Sequence, residues 1–144
     1  MIITLDRVGE PFHFEARNES GNVVHIDTTP EKGGTGQGAG PMQLVAMGLG
    51  GCSAMDVVTI LNKQRQQIES LSIQIDAERA TDQVPAVFTD IHLHYALGGN
   101  LDAEKVRRAI DLSLEKYCSV SRMLEKTARI TYSFSVNGER YEQA

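Results

Sequence analysis

Residues 41–66 read PMQLVAMGLGGCSAMDVVTILNKQRQ. Pro41 suits the first turn of a helix, where its missing N–H costs nothing, and the run behind it supports a helix through about Gln66. Between Leu44 and Leu61 the only polar side chains are Cys52, Ser53, Asp56 and Thr59. Such a helix is apolar nearly all round and has to be buried on most faces. One small sheet cannot cover it. Either a second helix and a second chain share the task, or the backbone is irregular around Gly48, Gly50 and Gly51. Those glycines each weaken a helix by ~1 kcal/mol but let another backbone come close.

On the N-terminal side, Ile2-Ile3-Thr4-Leu5, Phe12-His13-Phe14-Glu15 and Val23-Val24-His25-Ile26 alternate apolar with polar residues. Turns at Gly9-Glu10-Pro11 and Ser20-Gly21-Asn22 make them an antiparallel meander. Residues 30–40, PEKGGTGQGAG, contain five glycines and read as a mobile loop. The run lacks the GxxxxGK[ST] pattern of a phosphate-cradling loop, which argues against nucleotide binding. On the C-terminal side, strands are expected at Leu71 to Arg79 and Val87 to Leu97, separated by a turn with Pro85. A helix with Asp102 as N-cap follows, its apolar positions Val106, Ala109, Ile110 and Leu114. A short helix from Ser119 to Lys126, a strand from Arg129 to Val136, a turn at Asn137-Gly138 and a polar tail complete the chain. Strands on both sides of the helices give an α+β class with a segregated antiparallel sheet.

The 144 residues fit a single domain, 1–144: a meander and glycine-rich loop over 1–40, then the helix, hairpin and remaining elements over 41–144. With 41% hydrophobic and 23% charged residues, the composition is that of an ordinary globular protein. A net charge of -5 with scattered basic residues leaves no footprint for nucleic acid or anionic lipid. No run of about 18 uninterrupted apolar residues and no basic-then-apolar leader is present, so a cytoplasmic location and no membrane are expected. Two cysteines in such a compartment read as free thiols, metal ligands or a redox couple.

Taken singly, Cys52 and Cys118 are compatible with small buried hydrophobes. Cys118 has a more suggestive setting: a helix start with Lys116 and Arg122 close by favours the thiolate. Read together, Gly40 to Leu61 (GPMQLVAMGLGGCSAMDVVTIL) and Glu115 to Lys126 (EKYCSVSRMLEK) resemble the osmotically inducible protein C / organic hydroperoxide resistance (OsmC/Ohr) family. The first window resembles that family's P-x-E-L…GGC-x-x-D-V-x-x-I-L helix and the second its C-x-x-S helix start. The likeness extends over nearly the whole chain.

The resemblance implies an intertwined homodimer with antiparallel sheets wrapped around two long buried central helices. It implies a thiol-dependent peroxidase for organic hydroperoxides, with Cys52 as the attacking and Cys118 as the resolving thiol. It also implies an external dithiol reductant of lipoyl type; no cofactor and no metal are expected. The family's activating arginine corresponds to Arg7 here, and its glutamate to Gln43, which can accept a hydrogen bond but cannot form an ion pair. Asp56, four residues after Cys52, shares a helical face with it, and a negative charge there disfavours a second on the sulfur. Its Cys-x-x-x-Asp-Val spacing resembles a poorly characterised branch of the family, and a structural role is expected for it.

Two other readings remain open. A non-catalytic protein of the same fold would hold an apolar small molecule or acyl chain in the groove between subunits, and Gln43 is the argument for it. A zinc site would need His92 and His94, which share a strand face, to join Cys52 and Cys118. His13 and His25 carry no stronger signal.

Overall fold

The computed structural model describes residues 1–144. Its contacts divide the chain into two compact units, Met1–Met47 and Gly48–Ala144. In the first, β1 (Ile3–Gly9), β2 (His13–Asn18) and β3 (Val23–Ile26) form the expected antiparallel meander in the order β1-β2-β3. The pairings Leu5↔Ala16, Arg7↔Phe14, Phe14↔Ile26 and Ala16↔Val24 collect the apolar side chains on one face. On that face Ile3, Leu5 and Val24 are exposed.

The glycine-rich run is tied down rather than loose. A 3-10 turn occupies Pro30–Lys32, and Asp27, only 2% exposed, accepts hydrogen bonds from the backbone N–H groups of Thr28, Thr35 and Gln37 and from the Thr35 hydroxyl. A Cβ on Gly34 would meet the Thr28 carbonyl oxygen at 2.1 Å, so the loop can fold back on itself only with glycine there.

The long helix α1 (Pro41–Lys63) begins in the first unit and runs on into the second. It stops short of Gln66 because Arg65 takes a left-handed conformation, φ 57°. Arg65 N–H then bonds to the Asn62 carbonyl and Gln66 N–H to that of Leu61, the paired bonds of a Schellman cap. Along α1, Leu49, Gly50, Ser53, Val57 and Leu61 are buried, whereas Met47 is 57% and Met55 74% exposed. The chain therefore seals one face of a helix whose composition calls for cover on most faces. By length and composition α1 could cross a membrane, but Ser53 and Asp56 are hydrogen-bonded to other elements of the protein, and no span is indicated.

The second unit holds a sheet in the order β4-β5-β6-β7, built from β4 (Gln67–Arg79), β5 (Phe88–Asn100), β6 (Arg129–Val136) and β7 (Glu139–Glu142). The expected hairpin β4-β5 is antiparallel, but β5 and β6 run parallel, which corrects the expectation of a purely antiparallel sheet. The crossover between them carries α2 (Ala103–Leu112), a π-helical turn (Ser113–Tyr117) and α3 (Ser119–Leu124). Asp102 caps α2 as expected, its carboxylate accepting from Lys105 N–H. The tail is not free: β7 pairs with β6, and Tyr141 stacks on Phe134 at 4.9 Å. Leu93, Tyr95, Tyr132 and Phe134 form one buried face of the sheet, with Val106, Ala109 and Ile110 of α2 among the buried core residues.

Candidate functional site

Cys52 lies on α1 at the border between its covered and open faces and is half-buried, while Cys118 is 2% exposed. The backbone places Cys118 firmly. Its N–H donates to the Ser113 carbonyl at 2.8 Å across the π-helical turn, and its sulfur, as N-cap of α3, accepts from Ser121 N–H at 3.3 Å. The two cysteine sulfurs and an Asp56 carboxylate oxygen all lie within 4.8 Å of one another. Two thiols 66 residues apart in sequence, from Cys52 to Cys118, are thus brought together, and a disulfide between them requires an approach of at most about 3 Å.

The expected activation of Cys118 by its neighbours is not what the structure shows. Burial, and behind it the adjacent Cys52 thiol, push the Cys118 thiol up to about 11, against the opposing pull of the Ser121 and Val120 N–H groups. The two cations are engaged elsewhere. Arg122 donates to Glu125 at 2.7 Å and to the Glu115 carbonyl at 2.6 Å, and Lys116 sits 5.3 Å above the Tyr117 ring.

Beneath the sulfurs runs a buried hydroxyl network that the sequence did not reveal. Ser113 Oγ lies 3.0 Å from both Asp56 Oδ2 and Ser53 Oγ, and Ser53 Oγ lies 2.6 Å from the Tyr95 hydroxyl. The Ser113 hydroxyl is placed as donor to both oxygens, its one proton shared between them, and the Ser53 and Tyr95 hydroxyls share one further hydrogen bond, so a single network runs from Asp56 to β5. Burial holds the Tyr95 hydroxyl well above its ordinary range, so it remains a donor. Within the chain, the Ser113 bond to Asp56 joins α1 to the π-helical turn.

Gln43 closes the start of α1. Its Oε1 accepts the Gly40 N–H at 2.8 Å, one half of a capping box. Arg7 is exposed on β1, opposite Phe14 and on the apolar face of the meander, and takes part in none of the chain's ion pairs.

The histidines do not join the cysteines. Tyr95, which reaches Ser53 on α1, and His92 and His94 occupy alternate positions of β5, so the two histidines face away from that helix. Their nitrogens contact the hydroxyls of Thr131 and Ser133 at 2.8–2.9 Å. A zinc site of two cysteines and two histidines is thereby ruled out. His13 and His25 pair with each other at 2.9 Å in the meander. A cavity of about 210 Å³ is lined by Asp111, Glu115, Glu125 and Tyr132 among others, and neither cysteine is among its lining residues.

The family model described as OsmC-like protein matches residues 34–133. The protein YhfA of Escherichia coli K12 is 43% identical over 129 residues, 88% of this chain and 92% of that one. Among solved structures, a hypothetical protein from Aquifex aeolicus VF5 superposes with a TM-score of 0.82 at 27% identity, over 94% of this chain and 95% of that one. An organic hydroperoxide resistance protein OsmC from Legionella pneumophila does so with a TM-score of 0.72 at 20% identity, over 94% and 96%. The latter likeness is one of fold.

Proposed function

The chain belongs to the OsmC family, and on that footing we propose that it is a homodimeric, cytoplasmic, thiol-dependent reductase of organic hydroperoxides, its two units making one OsmC-like domain. The observation that carries this reading is the meeting of a half-exposed thiol and a buried one within 4.8 Å. The name of the Legionella relative is consistent with it.

In the proposed reaction the Cys52 thiolate attacks a peroxide oxygen. An S–O bond forms, the O–O bond breaks, and the departing alkoxide takes a proton to become the alcohol. The Cys118 sulfur then attacks the Cys52 sulfenic acid, forming the disulfide and releasing water. An external dithiol, such as a dihydrolipoyl group, restores both thiols and is itself oxidised to a disulfide. Arg7 is assigned the cation that favours the Cys52 thiolate. Its place on an uncovered apolar face suits a residue aimed at a partner surface rather than at water. Gln43 stands where the family's glutamate would hold that arginine.

The open stripe of α1, with Met47 and Met55, and the exposed apolar residues of the meander support a dimer, because exposed apolar surface of this kind marks an interface. Apolar residues near Cys52 along α1, Leu49, Met47 and Met55, favour alkyl peroxides over hydrogen peroxide. They are also what favours the second reading, a non-catalytic protein holding an apolar molecule at the dimer groove. Turnover of cumene hydroperoxide with dihydrolipoamide separates the two. Cys52→Ser abolishes consumption in the first reading, whereas a wild type that binds an apolar probe without consuming peroxide overturns it.

A further inference from the structure

We propose that the reduced protein binds a zinc-class divalent cation between Cys52 Sγ, Cys118 Sγ and an Asp56 carboxylate oxygen. All three donor atoms lie within 4.8 Å of one another. Around a tetrahedral zinc, with bonds of about 2.3 Å to sulfur and about 2.1 Å to oxygen, donors sit roughly 3.5–3.8 Å apart. Side-chain adjustment of about 1 Å closes the site.

Charge is the second and independent argument. All three groups are acids, and none of the chain's ion pairs reaches Asp56. Its one side-chain hydrogen-bond partner is the neutral hydroxyl of Ser113. A half-buried carboxylate beside two thiols, with no positive side chain on it, is a place that attracts a cation. The thiolate pair selects a soft or borderline metal over magnesium or calcium.

The framework suits a metal ligand set. Cys52 and Asp56 are one turn apart on α1, and Cys118 is fixed by the Ser113 carbonyl and the Ser121 N–H. Ser113 also orients the carboxylate from behind, as outer-shell donors do at metal sites. Cys52 and Asp56 are half-buried rather than sealed, so the fourth position is left to water or a small ligand. Binding releases the two thiol protons to solvent and leaves a complex of the metal with two thiolates and one carboxylate. Oxidation of the pair to a disulfide removes both thiolate ligands, so metal and disulfide exclude each other. This site uses the residues of the proposed peroxidase but does not depend on peroxide turnover.

The experiment is a titration of the phosphine-reduced, metal-free protein with Zn²⁺ against a chromogenic chelator, paralleled by Co²⁺ absorption. One metal per chain is expected, with thiolate-to-cobalt charge transfer and tetrahedral d–d bands, all lost after oxidation to the disulfide. Asp56→Asn and Ser113→Ala, each checked for fold by circular dichroism, should weaken zinc by about tenfold or more. His92→Ala should leave it unchanged. Failure of the reduced wild type to compete for zinc overturns the proposal, as does binding that is undiminished in both Cys118→Ser and Asp56→Asn. Peroxide turnover is measured separately, and its absence bears on the peroxidase alone.

Discussion

Ser113 does more than its type advertises. In sequence it is one polar residue in an amphipathic stretch, yet its hydroxyl meets both Asp56 and Ser53. Removing it leaves a half-buried carboxylate and a buried hydroxyl short of a partner, which costs about 1–3 kcal/mol. Ser113→Ala should therefore lower the unfolding free energy by that amount, read as a lower urea midpoint at unchanged m-value, and an unaltered midpoint would show the network to be idle. The cysteines differ in a measurable way. Cys118 is 2% exposed with its thiol pushed up to about 11, so in the folded, reduced protein iodoacetamide should modify Cys52 well before Cys118 at neutral pH, as peptide mapping would record. The pairing of these thiols was legible only through resemblance, since 66 positions separate them. The inversion of the expectation for Cys118 has a physical cause: nearness of Lys116 and Arg122 in sequence says nothing of where their charges point, and burial outweighs a helix start.

At the scale of elements, periodicity disclosed the meander, the long helix, the hairpin and the capped α2, because each buries one face at its own period. It did not disclose β7, whose residues Glu139–Glu142 are mostly charged and which is held by pairing with β6 and by the stack of Tyr141 on Phe134. Nor did it disclose the parallel β5-β6 pair, set by a crossover of helices. The glycine-rich loop looked unstructured because its organiser, Asp27, precedes it. Four hydrogen-bond donors hold the Asp27 carboxyl at about 2, below its ordinary 3.8, with the Thr35 hydroxyl the largest contributor. For a carboxyl lowered in the folded state, the stabilisation is complete above the unfolded value and disappears as pH falls through the folded one. Amide exchange protection at Thr35 and Gln37 should thus persist at pH 5 and be lost between about pH 4 and 2. Gly34→Ala should destabilise the same loop by about 1–3 kcal/mol, read as lost protection at those amides, because its Cβ would fall 2.1 Å from the Thr28 carbonyl oxygen.

For the molecule as a whole, the sequence demanded more cover for α1 than one chain supplies, and Met47 and Met55 mark the shortfall. A Cβ at Gly51 meets nothing within 4 Å inside the chain. In an isolated chain Gly51→Ala would stabilise the helix by up to ~1 kcal/mol; in a dimer with helices packed on that stripe it should weaken association instead. Met55→Lys should shift sedimentation from dimer toward monomer, and a wild type that sediments as a monomer would contradict the dimer outright. The central claim is that Cys52 and Cys118 act as one redox pair. Its most direct test is intact mass and peptide mapping of the reduced protein after sub-equivalent cumene hydroperoxide. The expected result is loss of two hydrogens and a single intrachain Cys52–Cys118 disulfide, whereas two free thiols, or a Cys52 oxidised without engaging Cys118, would contradict it.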